Sequence, residues 1–250
     1  MTASPRRRTR SRTVWLWVSV VIVLGFLAAL AYGSTPSPAE PRPLAAVQAD
    51  TGIHYSETGD AVVMTPASGA TGVGLVFFAG AHIDAPAYAY KLSGLVDDGV
   101  TVVIARPVLS FAIIEFRPLT TFTGLAPGVS TWYVGGHSLG GVRACQYAKD
   151  DYTVGGLILF GSYCAVDLSH TSIPVLSIGG SRDGLSTPAR IRAASHLLPD
   201  TTTVVEIAGA DHASFGDYGP QAGDNPATTA DSSVRSQLTT DILEFVHGGG

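Results

Sequence analysis

The chain has 250 residues, of which 46% are hydrophobic, and it carries 15 Lys plus Arg against 20 Asp plus Glu. Residues 51–250 hold nine of these basic residues and 18 of the acidic ones, an excess of negative charge that disfavours binding to nucleic acid. The sequence also lacks a CxxC pair and an HExxH motif, so neither a metal nor another cofactor is predicted. A neutral or apolar small molecule is the expected partner.

The N-terminal segment has the composition of a membrane-directed sequence. A basic tail at 1–13 with five arginines precedes an uncharged run from Val14 to Tyr32. At about 1.5 Å per residue this run spans about 28 Å, close to the ~30 Å hydrocarbon core. We predict an uncleaved transmembrane anchor at 14–32, with the arginines in the cytoplasm and the remaining chain on the other side. The alternative is a secretory signal peptide cleaved near the A-x-A-like sequence at 29–31.

A spacer and one globular domain are predicted after the anchor. Residues 33–50 contain four prolines among Ser, Thr and Ala, a composition typical of a stiff extended linker. The remaining residues, 51–250, are enough for a single domain with a sizeable core.

Apolar runs alternate with amphipathic stretches along this domain. Some of the runs are apolar throughout, as in a parallel sheet that is covered on both faces. The pattern predicts an α/β fold, a mostly parallel sheet with helices on both faces. Residues 110–130 have room for a small flap, and no insertion is long enough for a separate lid domain. Strands are predicted at 61–65, 73–78, 102–105, 131–135, 154–160, 175–178 and 203–207, and helices at 87–97, after residue 138, at 188–198 and at about 232–246.

The sequence GHSLG at 136–140 fits the G-x-S-x-G nucleophile elbow, which places a serine on a strained turn between a strand and a helix. The pentapeptide alone is a weak signal in a glycine-rich chain. Its context supplies the specificity, because an apolar strand precedes it and helix-forming residues follow it. Ser138 is therefore the candidate nucleophile, and an idle serine in a glycine-rich turn is the alternative.

A serine hydroxyl needs a base and a group that orients the base. His212 is the predicted base, because it follows the last strand through a short Gly-rich segment and so lies at the carboxyl edge of the sheet. Asp183, just past the strand at 175–178, is the predicted orienting acid. Asp167, in the loop after the preceding strand, is its main rival, and Asp211 is too close to His212 along the chain.

Two backbone N–H groups are expected to stabilise a developing oxyanion. Leu139, the residue after the nucleophile, supplies the first at a helix N-terminus. The second is assigned to Ala81 in the loop after the strand at 73–78, with His82 as the alternative.

The two cysteines, Cys145 and Cys164, have no sequence signature of a pair. A disulfide requires Cα atoms within about 7 Å, which spacing alone does not reveal. Two small buried thiols are therefore expected, with a disulfide as the alternative.

The order Ser138, Asp183, His212 and the segments at 77–88, 136–141, 181–184 and 209–218 resemble the α/β-hydrolase superfamily. Within it the chain is similar to the small α/β-hydrolase fold-5 group, near dienelactone hydrolases and small esterases, over roughly residues 60–247. The sequence AGAH at 79–82 departs from the Pro-Gly-Gly that relatives tend to show.

The resemblance implies a serine hydrolase that cleaves a carboxylic ester or a related acyl bond through an acyl-enzyme, with triad roles for Ser138, Asp183 and His212. A thioesterase, acyltransferase or peptidase would use the same triad. A hydrolase-like scaffold that binds a partner without catalysis is the alternative from another class.

Overall fold

The computed structural model describes residues 6–33, 35–151 and 153–248. It divides the chain into two compact units, one that ends at Pro36 and one that begins at Ser37. The first unit contains helix α1 (Arg6–Gly33). Within α1 the run Val14–Tyr32 is long and apolar enough to cross a membrane, judged by length and composition. The first five residues of the predicted basic tail lie outside the described part of the chain.

The second unit is built on one eight-stranded sheet with the order β1-β2-β4-β3-β5-β6-β7-β8. The first two strands pair antiparallel with each other, and β2 pairs antiparallel with β4; every other pairing is parallel. The strands are β1 (Ile53–Glu57), β2 (Ala61–Pro66), β3 (Val73–Phe78), β4 (Thr101–Ala105), β5 (Thr131–His137), β6 (Gly156–Phe160), β7 (Val175–Gly180) and β8 (Thr203–Ile207).

Helices cover both faces of this sheet, as predicted. Leu75 and Phe77 of β3 point into a core shared with α2, α3 and α7, whereas Val76 and Phe78 point into a core shared with α4 and α5. Successive strand residues face opposite sides, so a sheet with two covered faces requires the continuous apolar runs seen in the sequence. The helices are α2 (Pro41–Gln48), α3 (Ala89–Asp97), α4 (Thr120–Thr123), α5 (Leu139–Asp150), α6 (Pro188–Ala194) and α7 (Asp231–Gly248).

The parallel strands end together at one edge of the sheet. Phe78 at the end of β3 lies opposite Gly136 in β5, and His137 lies opposite Phe160 at the end of β6. On the far side Gly180 of β7 lies opposite Ile207 of β8. The loops that follow these strands therefore meet, although their residues are far apart in sequence.

The segment predicted as an extended spacer is partly folded, which corrects that interpretation. The Ser37 N–H donates to the His82 carbonyl at 2.8 Å, and α2 follows with Val47 in the core at 2% exposure. Prolines at 41 and 43 are compatible with α2 because the first N–H groups of a helix need no intrahelical acceptor. The globular unit therefore begins at Ser37 rather than at residue 51.

Cys145 of α5 and Cys164 of the loop after β6 form a disulfide with Cα atoms 5.6 Å apart. The prediction of two unpaired thiols is therefore wrong. The cysteines are 19 residues apart, and the packing of α5 against the end of β6 brings them within reach. In the chain-entropy treatment, closing a loop of this size contributes about 3 kcal/mol to stability.

Candidate active site

Ser138 is half-buried and lies at the corner between β5 and α5, the strand-to-helix turn on which the elbow motif places it. Its backbone angles, φ 53° and ψ −124°, are strained for a residue with a side chain. A Cβ atom on Gly136 would lie 2.4 Å from the backbone carbon of Gly140, so the turn closes only with glycine at position 136. The neighbouring Ser162 hydroxyl supports the corner by donating to the Ser138 carbonyl at 2.7 Å.

Asp183 and His212 meet in the loops after β7 and β8. The Nδ1 atom of His212 lies 2.8 Å from Oδ2 of Asp183, and both side chains are almost fully buried. The other carboxylate oxygen, Oδ1, accepts from the N–H groups of Leu185 at 2.8 Å and Ser186 at 2.6 Å. These bonds fix the orientation of the carboxylate towards the imidazole.

A glycine at the end of β6 makes room for this pair, and no sequence motif marks this glycine. Gly161 has a φ of +45°, and a Cβ atom there would lie 2.9 Å from Asp183 Oδ2 and 3.2 Å from His212 Nδ1. A side chain at this position would therefore separate the carboxylate from the imidazole.

Ser138 and His212 lie at the same edge of the sheet but share no hydrogen bond. In the described part of the chain the buried Nε2 atom of His212 has no hydrogen-bond partner. Its ring centroid is 4.3 Å from that of His137, the residue that precedes Ser138. Contacts between a catalytic nucleophile and its base are commonly long without substrate and tighten when substrate binds.

The two rival acids lie in other environments. Asp167 is exposed and accepts from the N–H and hydroxyl of Ser169 in its own loop. Asp211 accepts from the N–H and hydroxyl of Ser214. These hydrogen bonds hold each carboxylate to a serine of its own loop rather than to the His212 ring.

The loop after β3 leaves one N–H group available near the elbow. The Gly80 N–H donates to the Tyr88 hydroxyl at 2.9 Å, and the His82 N–H donates to the Ser110 carbonyl at 2.7 Å. Ala81 lies between them, and its N–H donates no hydrogen bond to any residue that the structure describes. Leu139, the other predicted donor, is the first residue of α5, where the N–H has no intrahelical acceptor.

A family model described as "Alpha/beta hydrolase family" matches residues 74–236, which include the elbow, Asp183 and His212. The chain belongs to the α/β-hydrolase family. The family resemblance predicted from the sequence is thereby confirmed.

Solved structures show the same α/β-hydrolase fold. Est1E from Butyrivibrio proteoclasticus has a TM-score of 0.54 at 13% identity, and the match covers 79% of this chain and 100% of that one. TT1662 from Thermus thermophilus has a TM-score of 0.56 at 15% identity, covering 79% and 98% of the two chains. No curated protein is significantly similar to the chain in sequence.

Behind His212 this α/β-hydrolase has a buried polar pair that no sequence motif marks. The Tyr88 hydroxyl lies 2.9 Å from Nδ1 of His137, and both side chains are fully buried. Since the hydroxyl already accepts from the Gly80 N–H, we infer that it donates to His137. Tyr88 thus connects the loop after β3 with the elbow, and no local pattern in the sequence relates two residues 49 positions apart.

Burial sets the protonation state of the pair. It raises the pKa of Tyr88 far above its usual range, so the hydroxyl stays a donor. The pKa of His137 is lowered well below 6.5, first by burial and then by the charge of the neighbouring His212. His137 is therefore neutral in the folded protein at neutral pH.

A neutral buried histidine predicts a loss of stability in acid. The unfolded chain binds a proton on His137 as the pH falls below 6.5, whereas the folded chain does not. This histidine therefore leaves the free energy of unfolding unchanged above pH 6.5 and lowers it below pH 6.5, by up to about 1.4 kcal/mol per pH unit, until the folded chain binds the proton as well. Urea unfolding at pH 7.0, 6.0 and 5.0 is expected to show a shallower pH dependence for His137→Gln than for the wild type. Parallel pH profiles would contradict a buried neutral His137.

Proposed function

We propose that this α/β-hydrolase is a serine hydrolase that cleaves a carboxylic ester or a related acyl bond. One observation carries the proposal: a strained Ser138 lies at the same sheet edge as a buried Asp183–His212 pair whose atoms are 2.8 Å apart. A serine at a strand-to-helix corner and an acid-oriented histidine are the parts that nucleophilic acyl transfer requires.

In the proposed mechanism His212 Nε2 takes the proton of Ser138 as the hydroxyl attacks the acyl carbon. Asp183 holds the Nδ1–H and stabilises the imidazolium that forms. The N–H groups of Leu139 and Ala81 would bind the oxyanion, and the positive end of α5 adds to the stabilisation. His212 then returns the proton to the leaving group, and water, activated by the same histidine, releases the acid from the acyl-enzyme.

An apolar acyl group is the substrate class that the surroundings favour. Exposed apolar side chains stand on the segment between β4 and β5, with Phe116 reaching 79% exposure. This segment joins the candidate oxyanion loop through the bond from His82 N–H to the Ser110 carbonyl. The other exposed apolar side chains on this segment are Leu109, Ile113 and Ile114.

A fluorophosphonate probe tests the proposal, because it reacts with activated serines. We expect the probe to label the full chain at Ser138, as located by mass spectrometry of the peptides. We also expect the chain to hydrolyse esters, which are tested over a series of graded acyl length. Esters, thioesters and acyl acceptors offered in parallel would separate esterase from thioesterase and acyltransferase. A folded chain that neither reacts with the probe nor hydrolyses any of these would instead indicate a binding scaffold.

We also propose that α1 anchors the chain in a membrane with the hydrolase unit outside the cytoplasm. The Cys145–Cys164 disulfide supports this, because disulfides persist in oxidising compartments, and the arginines before Val14 support the orientation. In intact cells or spheroplasts, an added protease is expected to remove the hydrolase unit from a membrane-bound chain. Recovery of a protected or unanchored full-length chain would contradict the orientation or the anchor.

A further inference from the structure

One carboxylate outside the proposed triad touches the backbone beside both of its buried members. Oδ1 of Asp224 accepts from the Gly184 N–H at 2.8 Å, and Oδ2 accepts from the Ala213 N–H at 3.0 Å. Gly184 directly follows Asp183, and Ala213 directly follows His212. Asp224 therefore connects the loops that carry the acid and the base.

Asp224 belongs to a segment, residues 221–228, that crosses both loops. The Asn225 amide donates to the Arg182 carbonyl at 2.8 Å, and Arg182 Nε donates to the Pro226 carbonyl at 2.7 Å. At the other loop the Thr228 N–H donates to the Gly209 carbonyl at 2.8 Å. The segment is thus bound on both sides of Asp224, which holds the carboxylate in place.

The packing around Gly184 is equally close. A Cβ atom on Gly184 would lie 2.9 Å from the Asn225 amide nitrogen and 3.0 Å from its backbone nitrogen. The acid loop therefore lies directly against the crossing segment, so a shift of Asp224 would be transmitted to Asp183.

The distance between Asp183 and His212 depends on how two separate loops are held. Hydrogen bonds to a charged carboxylate are about twice as strong as neutral ones, and Asp224 makes one to each loop. A displacement of about 1 Å in a catalytic arrangement can cost about 100-fold in rate. The contacts of Asp224 are with backbone N–H groups and not with reacting atoms.

We propose that Asp224 is a positioning residue that sets the geometry of the Asp183–His212 pair. This inference rests on the proposed function for its kinetic readout, and it also has a readout that needs no substrate. Among the described residues, the side chain of Asp224 is the group that bridges the N–H groups next to both members of the pair.

The test compares Asp224→Ala and Asp224→Asn with Asp167→Ala in the full chain. Asp167 is a matched control because its carboxylate also accepts from loop N–H and hydroxyl groups, but in the loop after β6. For hydrolysis of p-nitrophenyl esters we expect Asp224→Ala to lower kcat about 10- to 100-fold with KM changed less than about twofold. Asp224→Asn, which keeps one acceptor oxygen, should be intermediate, and Asp167→Ala should match the wild type.

Proton NMR of the imidazole N–H between His212 and Asp183 gives the second readout. We expect a downfield, slowly exchanging signal in the wild type and in Asp167→Ala, and a shifted or rapidly exchanging one in Asp224→Ala. If the wild type hydrolyses no ester, the proposed function fails, and this signal still tests the positioning role.

Unchanged kcat and an unchanged imidazole signal in folded Asp224→Ala would overturn the proposal. The proposal would also be overturned if Asp224→Ala raised KM instead of lowering kcat, or if Asp167→Ala lost as much activity as Asp224→Ala. Should Asp224→Ala fail to fold, Asp224→Asn decides by the same two readouts.

Discussion

Ser138→Ala is expected to reduce kcat for p-nitrophenyl esters by about 10⁶-fold, because the loss of a triad nucleophile elsewhere costs about this much in kcat. The residual rate would come from binding and from the oxyanion donors, which the substitution leaves in place. The folded state should keep its stability, because the Ser138 contacts that hold the corner are made by its backbone N–H and carbonyl. Initial rates and thermal unfolding of the same preparation measure both quantities.

Ser162→Ala is the matched control for this substitution. Its hydroxyl donates to the Ser138 carbonyl at 2.7 Å, so its loss should cost about 1 kcal/mol of stability while Ser138 still reacts with a fluorophosphonate. We therefore expect Ser138→Ala to lose activity without losing stability, and Ser162→Ala to lose stability while Ser138 stays reactive. Hydrolysis that survives in Ser138→Ala would refute the assignment of the nucleophile.

Gly140→Ala is expected to destabilise the hydrolase unit by about 3 kcal/mol or more. A Cβ atom at this position would lie 2.0 Å from the Phe78 carbonyl oxygen and 2.6 Å from that of Ala79. Both atoms belong to the backbone, so no side-chain rotation relieves the contact. For a domain of this size the loss corresponds to a fall of about 6–12 °C in Tm.

Activity should fall together with stability in Gly140→Ala, because the end of β3 leads directly into the loop that carries Ala81. Gly128→Ala is the control, since a Cβ there would have no atom within 4 Å; its effect should stay within about 0.5 kcal/mol. Equal Tm values for the two variants, measured by differential scanning calorimetry, would show that α5 can move away from β3 without cost.

Much of the sheet could be predicted because each strand is marked by the apolar residues of its own short segment. Strands covered on both faces need apolar residues at every position, and those runs stand out in the sequence. β1 escaped prediction because it lies at the edge of the sheet and is mostly polar, with one buried residue, Ile53. Helix α2 escaped because its prolines resemble a linker, although the first turn of a helix accepts them.

The candidate site likewise contains residues that could be predicted from the sequence and residues that could not. The elbow was predictable because a tight corner requires glycines at fixed spacing around Ser138. The preference for Asp183 over Asp167 followed from which strand each residue succeeds, and the structure places Asp183 against His212. Gly161, Tyr88 and Asp224 had no comparable signal, because each acts on residues that are distant along the chain.

The sequence by itself determined the strands from β2 to β8, the helices that follow most of them, the position of the elbow and the choice of residues that could form a triad. These features depend on burial patterns and backbone sterics within a few residues. The tertiary structure alone decided that Cys145 pairs with Cys164, that Gly161 leaves room for Asp183 beside His212, and that Asp224 joins the loops of these two residues. These contacts join residues that are distant along the chain, and they depend on how the parallel strands align their ends. That alignment is set by the packing of the whole sheet rather than by any single segment.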